Sequence, residues 1–218
     1  MLRAILDLLF PPRCILCRKI LRKDETDLCH TCRIHTPQCS KPKKSPAFLA
    51  KQVSLWYYEG NVRASLLRYK FSGRRNYAPA YGRLLAMKIS GDLREEFDVL
   101  TWVPVSKKRQ KKRGYDQVAL LAQAVGQELD LVPAAVLRKT RDNPPQSRIQ
   151  GQAKRKANVL GAYTVTDPQL IRGKRVLLLD DILTTGATVS ECARTLLTAG
   201  AKEVSCAVLA IAPHYMQQ

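Results

Sequence analysis

Val176-Leu177-Leu178-Leu179-Asp180-Asp181-Ile182-Leu183-Thr184-Thr185-Gly186-Ala187-Thr188 is the stretch that decides the fold. Its four aliphatic residues are apolar on both faces, as a strand buried in a parallel sheet must be. Thr188 to Ala199 then carries Val189, Cys192, Ala193, Leu196 and Leu197 at helical spacing, and Gly200 ends the helix. Val204 to Ala212 is a second apolar run of the two-faced kind. Strand, helix and strand in this order form a βαβ unit, with parallel strands and a right-handed crossover. The chain is read as α/β.

The nine residues from Asp180 to Thr188 hold the chemistry. The crevice beyond the carboxyl end of a parallel strand is where α/β proteins bind ligands. Backbone N–H groups and hydroxyls of Thr184-Thr185-Gly186-Ala187-Thr188 suit a phosphate, and the helix N-terminus adds a favourable dipole. Gly186 permits positive φ or close approach. Two adjacent carboxylates repel a bare phosphate, but they suit sugar hydroxyls or a cation forming on a sugar ring. Together these groups point to a ribose phosphate. An ordinary βα turn with an Asp cap explains one Asp and one Thr, not the whole run.

Upstream, Val53 to Tyr58 reads as a strand, and Asn61 as the cap of a helix turning Val62, Leu66 and Tyr69 inward. A helix near Tyr77 to Ile89 groups Tyr81, Leu84, Leu85 and Ile89 on one face. Val99 to Val103 is a short strand stopped by Pro104. Asp116 opens a helix with Val118, Leu121, Val125 and Leu129 at helical spacing. Residues 138–158 are basic, contain Pro144-Pro145 and have no period, which predicts a long mobile loop of functional use.

Five of the seven cysteines precede residue 40. Cys14-Ile15-Leu16-Cys17 and Cys29-His30-Thr31-Cys32 are tandem C-x-x-C knuckles, each able to aim two thiolates at one tetrahedral zinc. A redox motif uses one such pair, and disulfides are not expected without a secretory signal. Cys39, His30 and His35 remain alternative ligands. Residues 13–40 hold few apolar side chains, so a structural metal is expected to supply their folding energy. Cys192 and Cys206 sit in apolar runs and read as small buried hydrophobes. Lys41 to Pro46 reads as a linker.

The 218 residues suffice for one ordinary domain and a small appendage. An apolar share of 45% excludes a disordered chain, and 11 Gly with 12 Pro exclude collagen-like classes. Thirty-seven Lys and Arg against 18 Asp and Glu give a net charge of +19, which calls for a polyanionic partner. Met1 to Phe10 is too short to span a membrane and reads as an amphipathic helical turn packed on its own protein, with surface contact to a membrane as the alternative. Trp56, Tyr57, Tyr58, Tyr69 and Tyr77 lie near basic residues and offer either core packing or base stacking.

The run from Val176 to Thr188 resembles the thirteen-residue PRPP-binding motif of type I phosphoribosyltransferases (PRPP is 5-phosphoribosyl pyrophosphate). The whole chain resembles the ComF competence family, in which a four-cysteine zinc module precedes a phosphoribosyltransferase-like domain. The resemblance is carried by Leu8-Leu9-Phe10-Pro11-Pro12-Arg13-Cys14, Tyr69-Lys70-Phe71-Ser72-Gly73 and Val103-Pro104. It continues through Arg109, Arg113-Gly114-Tyr115-Asp116-Gln117, Gln146, Arg155 and Asn158. Ser106 stands where a second proline is common in the family, and Asp116 where asparagine is common. The implied fold is a type I phosphoribosyltransferase-like parallel sheet flanked by helices. A small zinc-ribbon-like module precedes it, with residues 1–46 as module and linker and 47–218 as the second domain.

The resemblance implies that Asp180 and Asp181 face ribose hydroxyls, as catalytic residues if the protein is an enzyme. It gives the 5′-phosphate to Thr184, Thr185, Gly186, Ala187 and Thr188. It makes the segment after Val103 the pyrophosphate loop, with Ser106, Lys107, Lys108, Arg109 and Arg113. Six of the seven positions from Lys107 to Arg113 are basic, which suits pyrophosphate carrying Mg²⁺. Cys14, Cys17, Cys29 and Cys32 take the zinc. Expected partners are PRPP, single-stranded DNA and other competence proteins such as a DNA translocase. The expected location is the cytoplasm, with the inner face of the membrane as an alternative. Two functions stay open: a DNA-handling module that keeps a PRPP site, and an active phosphoribosyltransferase with an unidentified acceptor.

Overall fold

The structure, a computed structural model, describes residues 10–39, 45–93, 97–143 and 152–213. The expectations for Met1 to Leu9, for most of the linker and for Gln146 lie outside the described residues, and so does the side chain of Arg155. In chain order the main elements are α1 (His30–His35), β1 (Gln52–Tyr57), α2 (Gly60–Phe71), α3 (Ala78–Leu93) and β2 (Val99–Trp102). Then come α4 (Lys107–Arg113), α5 (Gln117–Glu128), β3 (Leu137–Lys139), α6 (Gln152–Val159), β4 (Tyr163–Val165), β5 (Arg175–Leu183), α7 (Ala187–Thr198) and β6 (Glu203–Ile211). Four strands make a parallel sheet in the order β1-β6-β5-β2, and β3 pairs with β4 in a separate antiparallel ribbon.

The alternation of β5 and β6 divides two cores, because successive strand residues point to opposite faces. Leu177, Leu179, Ala207 and Leu209 join one core with α2, α3 and α5. Val176, Leu178, Cys206 and Val208 join the other with α7 and the ribbon. Cys192 and Cys206 are fully buried, as read from their apolar surroundings. Helices α3 and α5 touch at Gly82, where a Cβ would stand 2.5 Å from Cβ of Ala124. Both outer edges of the sheet are partly covered. Gln38 bridges Trp56 and the Cys39 N–H donates to the Leu55 carbonyl at 3.1 Å. Beside β2, the Ala134 N–H donates to Leu100 at 2.8 Å and the Thr101 hydroxyl to Ala134 at 2.8 Å.

Four expectations change. Asn61 is not a cap: Glu59 holds that position and Asn61 lies in the first turn of α2. The segment expected as a pyrophosphate loop is helix α4. The side chain of Ser106 accepts from the Arg109 N–H to start it, and Gly114 ends it at φ 79°. The described parts of 138–158 are not all loop: they include the end of strand β3 and most of helix α6, joined to the irregular residues 140–143.

The fourth concerns the cysteine segment, which is not short of burial. Cys14, Ile15, Leu16, Leu28, Cys29 and Cys32 are buried in the same core as Leu66, Tyr81 and Leu85. Ser65 donates to the Ile15 carbonyl, and Arg68 donates to those of Ile15 at 3.1 Å and Leu16 at 2.6 Å. Arg83 pairs with Asp27, its Nε donating at 2.9 Å. A few apolar residues suffice here because a neighbouring core completes the burial.

Candidate functional site

The carboxyl end of β5 leads through residues 184–186 into the N-terminus of α7 and, at Asp181, meets the first residue of α5. Strand β5 runs further than its aliphatic start suggested and carries both aspartates before the chain bends at Thr184. Asp181 projects to the face of α2 and α5 and is 4% exposed. One of its oxygens meets Lys70 Nζ at 2.9 Å, and the other accepts from Gln117 Nε2 at 2.9 Å. Arg113 donates to Gln117 Oε1 at 2.8 Å, so Arg113, Gln117, Asp181 and Lys70 form one chain of contacts. Tyr69 locks this corner from below by donating to the Gln117 carbonyl at 2.7 Å.

Asp180 leaves the strand on the other face, among Lys139, Tyr163 and Cys192. It accepts the N–H of Asp181 at 2.8 Å. Burial and the adjacent Asp181 carboxylate push its pKa up to about 8, against the pull of Lys70. Burial, with Arg109 nearby, lowers Lys139, whose ammonium lies 5.2 Å from the Tyr163 ring centroid.

The raised acid has a stability signature. Below about pH 4 Asp180 is protonated in both folded and unfolded chains, and above that only the unfolded chain ionises freely. The contribution of Asp180 to folding stability is therefore expected to fall as pH rises from about 4 toward about 8. Asp180→Asn removes this dependence, so its melting midpoint should decline less across that range than the wild-type midpoint. Parallel profiles in a calorimetric pH series would contradict the raised pKa of this half-buried carboxyl.

Beyond the aspartates, Gly186 takes the N-cap of α7 with φ 72° and supplies no capping side chain. The first-turn N–H groups of a helix have no partner within it, so the amides after Gly186 are available to an anion. Thr184, Thr185 and Thr188 are half-buried around this turn, and Ala187 is buried. On the opposite rim the Asp116 side chain caps α5, accepting from Val118 at 2.9 Å and Ala119 at 3.0 Å. Its other oxygen accepts from Val105 at 3.1 Å, which fixes the start of the basic helix. Ser106 is buried and donates to Asp142. Arg109 donates to the Asn143 carbonyl at 2.7 Å, while Lys107, Lys108, Lys111 and Lys112 are exposed.

The thiols of Cys14, Cys17, Cys29 and Cys32 lie within 4.8 Å of one another. Four sulfur ligands from two knuckles fit a closed tetrahedral zinc site. His30 and His35 are exposed and Cys39 is buried in the other core, so none of the three joins the cluster.

Gln117, Lys70 and Lys139 belong to the site geometry without having been assigned a role from the sequence. The first two stood inside quoted motifs. Lys139 had no signal beyond a basic residue in an aperiodic stretch. Trp56, Tyr69 and Tyr77 are buried, which gives these three to the core.

Two family models match the chain: a phosphoribosyl transferase domain over residues 117–217, and a double zinc ribbon domain over residues 5–44. Competence protein ComFC of Streptococcus pneumoniae (strain ATCC BAA-255 / R6) is 30% identical over 210 residues, covering 85% of this chain and 88% of that protein. This chain belongs to the ComF family. Two further relatives extend the family's range. Competence protein ComFC of Bacillus subtilis (strain 168) is 26% identical, covering 86% of this chain and 78% of its own length. DNA utilization protein YhgH of Escherichia coli (strain K12) is 29% identical, covering 88% of this chain and 86% of its own. The ComF architecture is thus a phosphoribosyltransferase-like sheet joined to a zinc ribbon, and the cysteine cluster supports a structural zinc. Among the described residues no helix is long and apolar enough to cross a membrane.

Proposed function

We propose that this protein binds PRPP at the ends of β5 and α7 and handles single-stranded DNA during DNA uptake for natural transformation. One observation carries the ligand reading: two carboxylates meet a helix N-terminus entered through a left-handed glycine. In this reading Asp180 and Asp181 hold ribose hydroxyls, and Thr184 to Thr188 hold the 5′-phosphate. Ser106, Lys107, Lys108, Arg109 and Arg113 serve the pyrophosphate, with Mg²⁺ arriving as part of the ligand. Residues 1–46 act as zinc module and linker, and 47–218 as the ligand domain. The DNA reading is supported by relatives named for competence and DNA utilization, and by the exposed lysines of α4. A DNA translocase on the cytoplasmic side of the membrane is the expected partner.

Isothermal titration of PRPP with Mg²⁺ tests the site. Asp181→Ala is expected to weaken binding at least tenfold, because it removes the carboxylate that holds Lys70 and Gln117. Wild-type affinity in this variant would remove the aspartate from the site.

Anisotropy titrations with single-stranded DNA at two salt concentrations test the other half. Replacing Lys107, Lys108, Lys111 and Lys112 by glutamine should lower the salt slope by about one for each DNA phosphate that these lysines neutralise. An unchanged slope would move DNA away from α4.

Catalysis is a second reading, favoured by two adjacent carboxyls in different surroundings, Asp180 with its pKa raised and Asp181 held by Lys70, since environments that differ in this way can serve proton transfer. Pyrophosphate release from PRPP with candidate acceptors distinguishes an enzyme from a binding module.

A further inference from the structure

We propose that the exposed ring of Phe71 is a stacking platform for a base of single-stranded DNA at the rim of the ligand site. The proposal rests on the DNA reading above and gives it a place on the surface. Phe71 ends α2 and is 65% exposed, next in sequence to Lys70, whose ammonium meets Asp181. The Arg113 guanidinium lies 4.9 Å from the ring centroid. The same two segments are pinned a second time in the opposite sense. Arg75 stands 4.7 Å over the Tyr115 ring and donates to the Gly114 carbonyl at 3.2 Å.

This crossed pair of cation–ring contacts fixes residues 71–75 against residues 111–115. Arg74, Arg75, Lys111 and Lys112 are exposed on those segments, and neither segment contains an acidic residue. A rigid aromatic ring among cations is the combination that single strands use, with phosphates on the charges and a base on the π-face. Duplex DNA keeps its base faces covered, and an acidic protein surface would use the charges but not the ring. Tyr115 is buried beneath Arg75, which leaves Phe71 as the ring open to a base on these segments.

The test is binding of a fluorescent thymine oligonucleotide to the full chain. Phe71→Ala is expected to lower affinity about tenfold or more, the effect of losing one base–aromatic stack. Its salt slope should match the wild-type slope, because the ring neutralises no phosphate. Its melting midpoint should move little, since the ring is mostly exposed and the Arg75 contacts to Tyr115 and Gly114 still hold the two segments together. Phe71→Trp should retain affinity, and its added fluorescence should be quenched by the oligonucleotide. Equal affinity in wild type and Phe71→Ala, with an unquenched Phe71→Trp, would overturn the platform while leaving the DNA reading standing. No binding by the wild type at low salt would overturn both.

Discussion

Cys14→Ser and Cys29→Ser are expected to lose zinc and to lower the melting midpoint of the whole chain by more than about 10 °C. The size follows from where the knuckles sit. Ile15, Leu16 and Leu28 are 5%, 1% and 5% exposed, within a core shared with α2 and α3. Burying such side chains stabilises by about 1.5–3 kcal/mol each. Detaching the knuckle also strands Arg68, whose guanidinium satisfies the Ile15 and Leu16 carbonyls. A structural zinc site supplies about 10–16 kcal/mol in isolated peptides, comparable with the net stability of an entire domain. The expected transition is therefore single and shared, with no separately melting core. Elemental analysis combined with scanning calorimetry checks this. Loss of zinc with an unmoved midpoint would show that the knuckles fold apart from the rest.

The second large effect is Gly186→Val, which should reduce PRPP affinity by at least about a hundredfold. Gly186 sits at φ 72°, a region that a β-branched residue enters only with strain. Valine would either distort the Thr184–Thr188 turn or pull the chain to negative φ, and both displace the amides at the start of α7. The loss of two charge-assisted hydrogen bonds accounts for an effect of this size. Gly186→Asn is the control, because asparagine tolerates the left-handed region and should retain most of the affinity. If titration finds valine and asparagine variants alike and close to wild type, the phosphate does not bind at this turn.

The parts of the fold that could be read from the sequence are those where one signal dominates. β5, α7 and β6 announced themselves because strands buried on both faces leave long aliphatic runs. The Asp116 cap was legible because the residue precedes a clean helical period. Helix α4 was not, since six of its seven residues are basic and it has no buried side chain. Its signals were the terminal residues, Ser106 and Gly114, which cap a helix regardless of what lies between them. Strand β3 is only three residues long, with Leu137 alone fully turned inward. The ligand turn was readable as a motif, but the roles of Gln117 and Lys139 depend on contacts between elements far apart in the chain. The burial of the cysteine segment was hidden for the same reason, since most of the apolar surface that covers it comes from α2 and α3.

Both margins of the parallel sheet are occupied, by Gln38 and Cys39 beside β1 and by Ala134 beside β2. Unpaired strand edges are where β-proteins recruit further chains, in useful complexes and in aggregates alike. Here each margin is capped at one place among the described residues, at Leu55 and Trp56 on β1 and at Leu100 and Thr101 on β2. A strand added to either margin would have to displace these segments before it could extend the backbone ladder along the whole edge. Concentrated preparations should accordingly show less edge-to-edge growth than if the outer strands β1 and β2 lay bare.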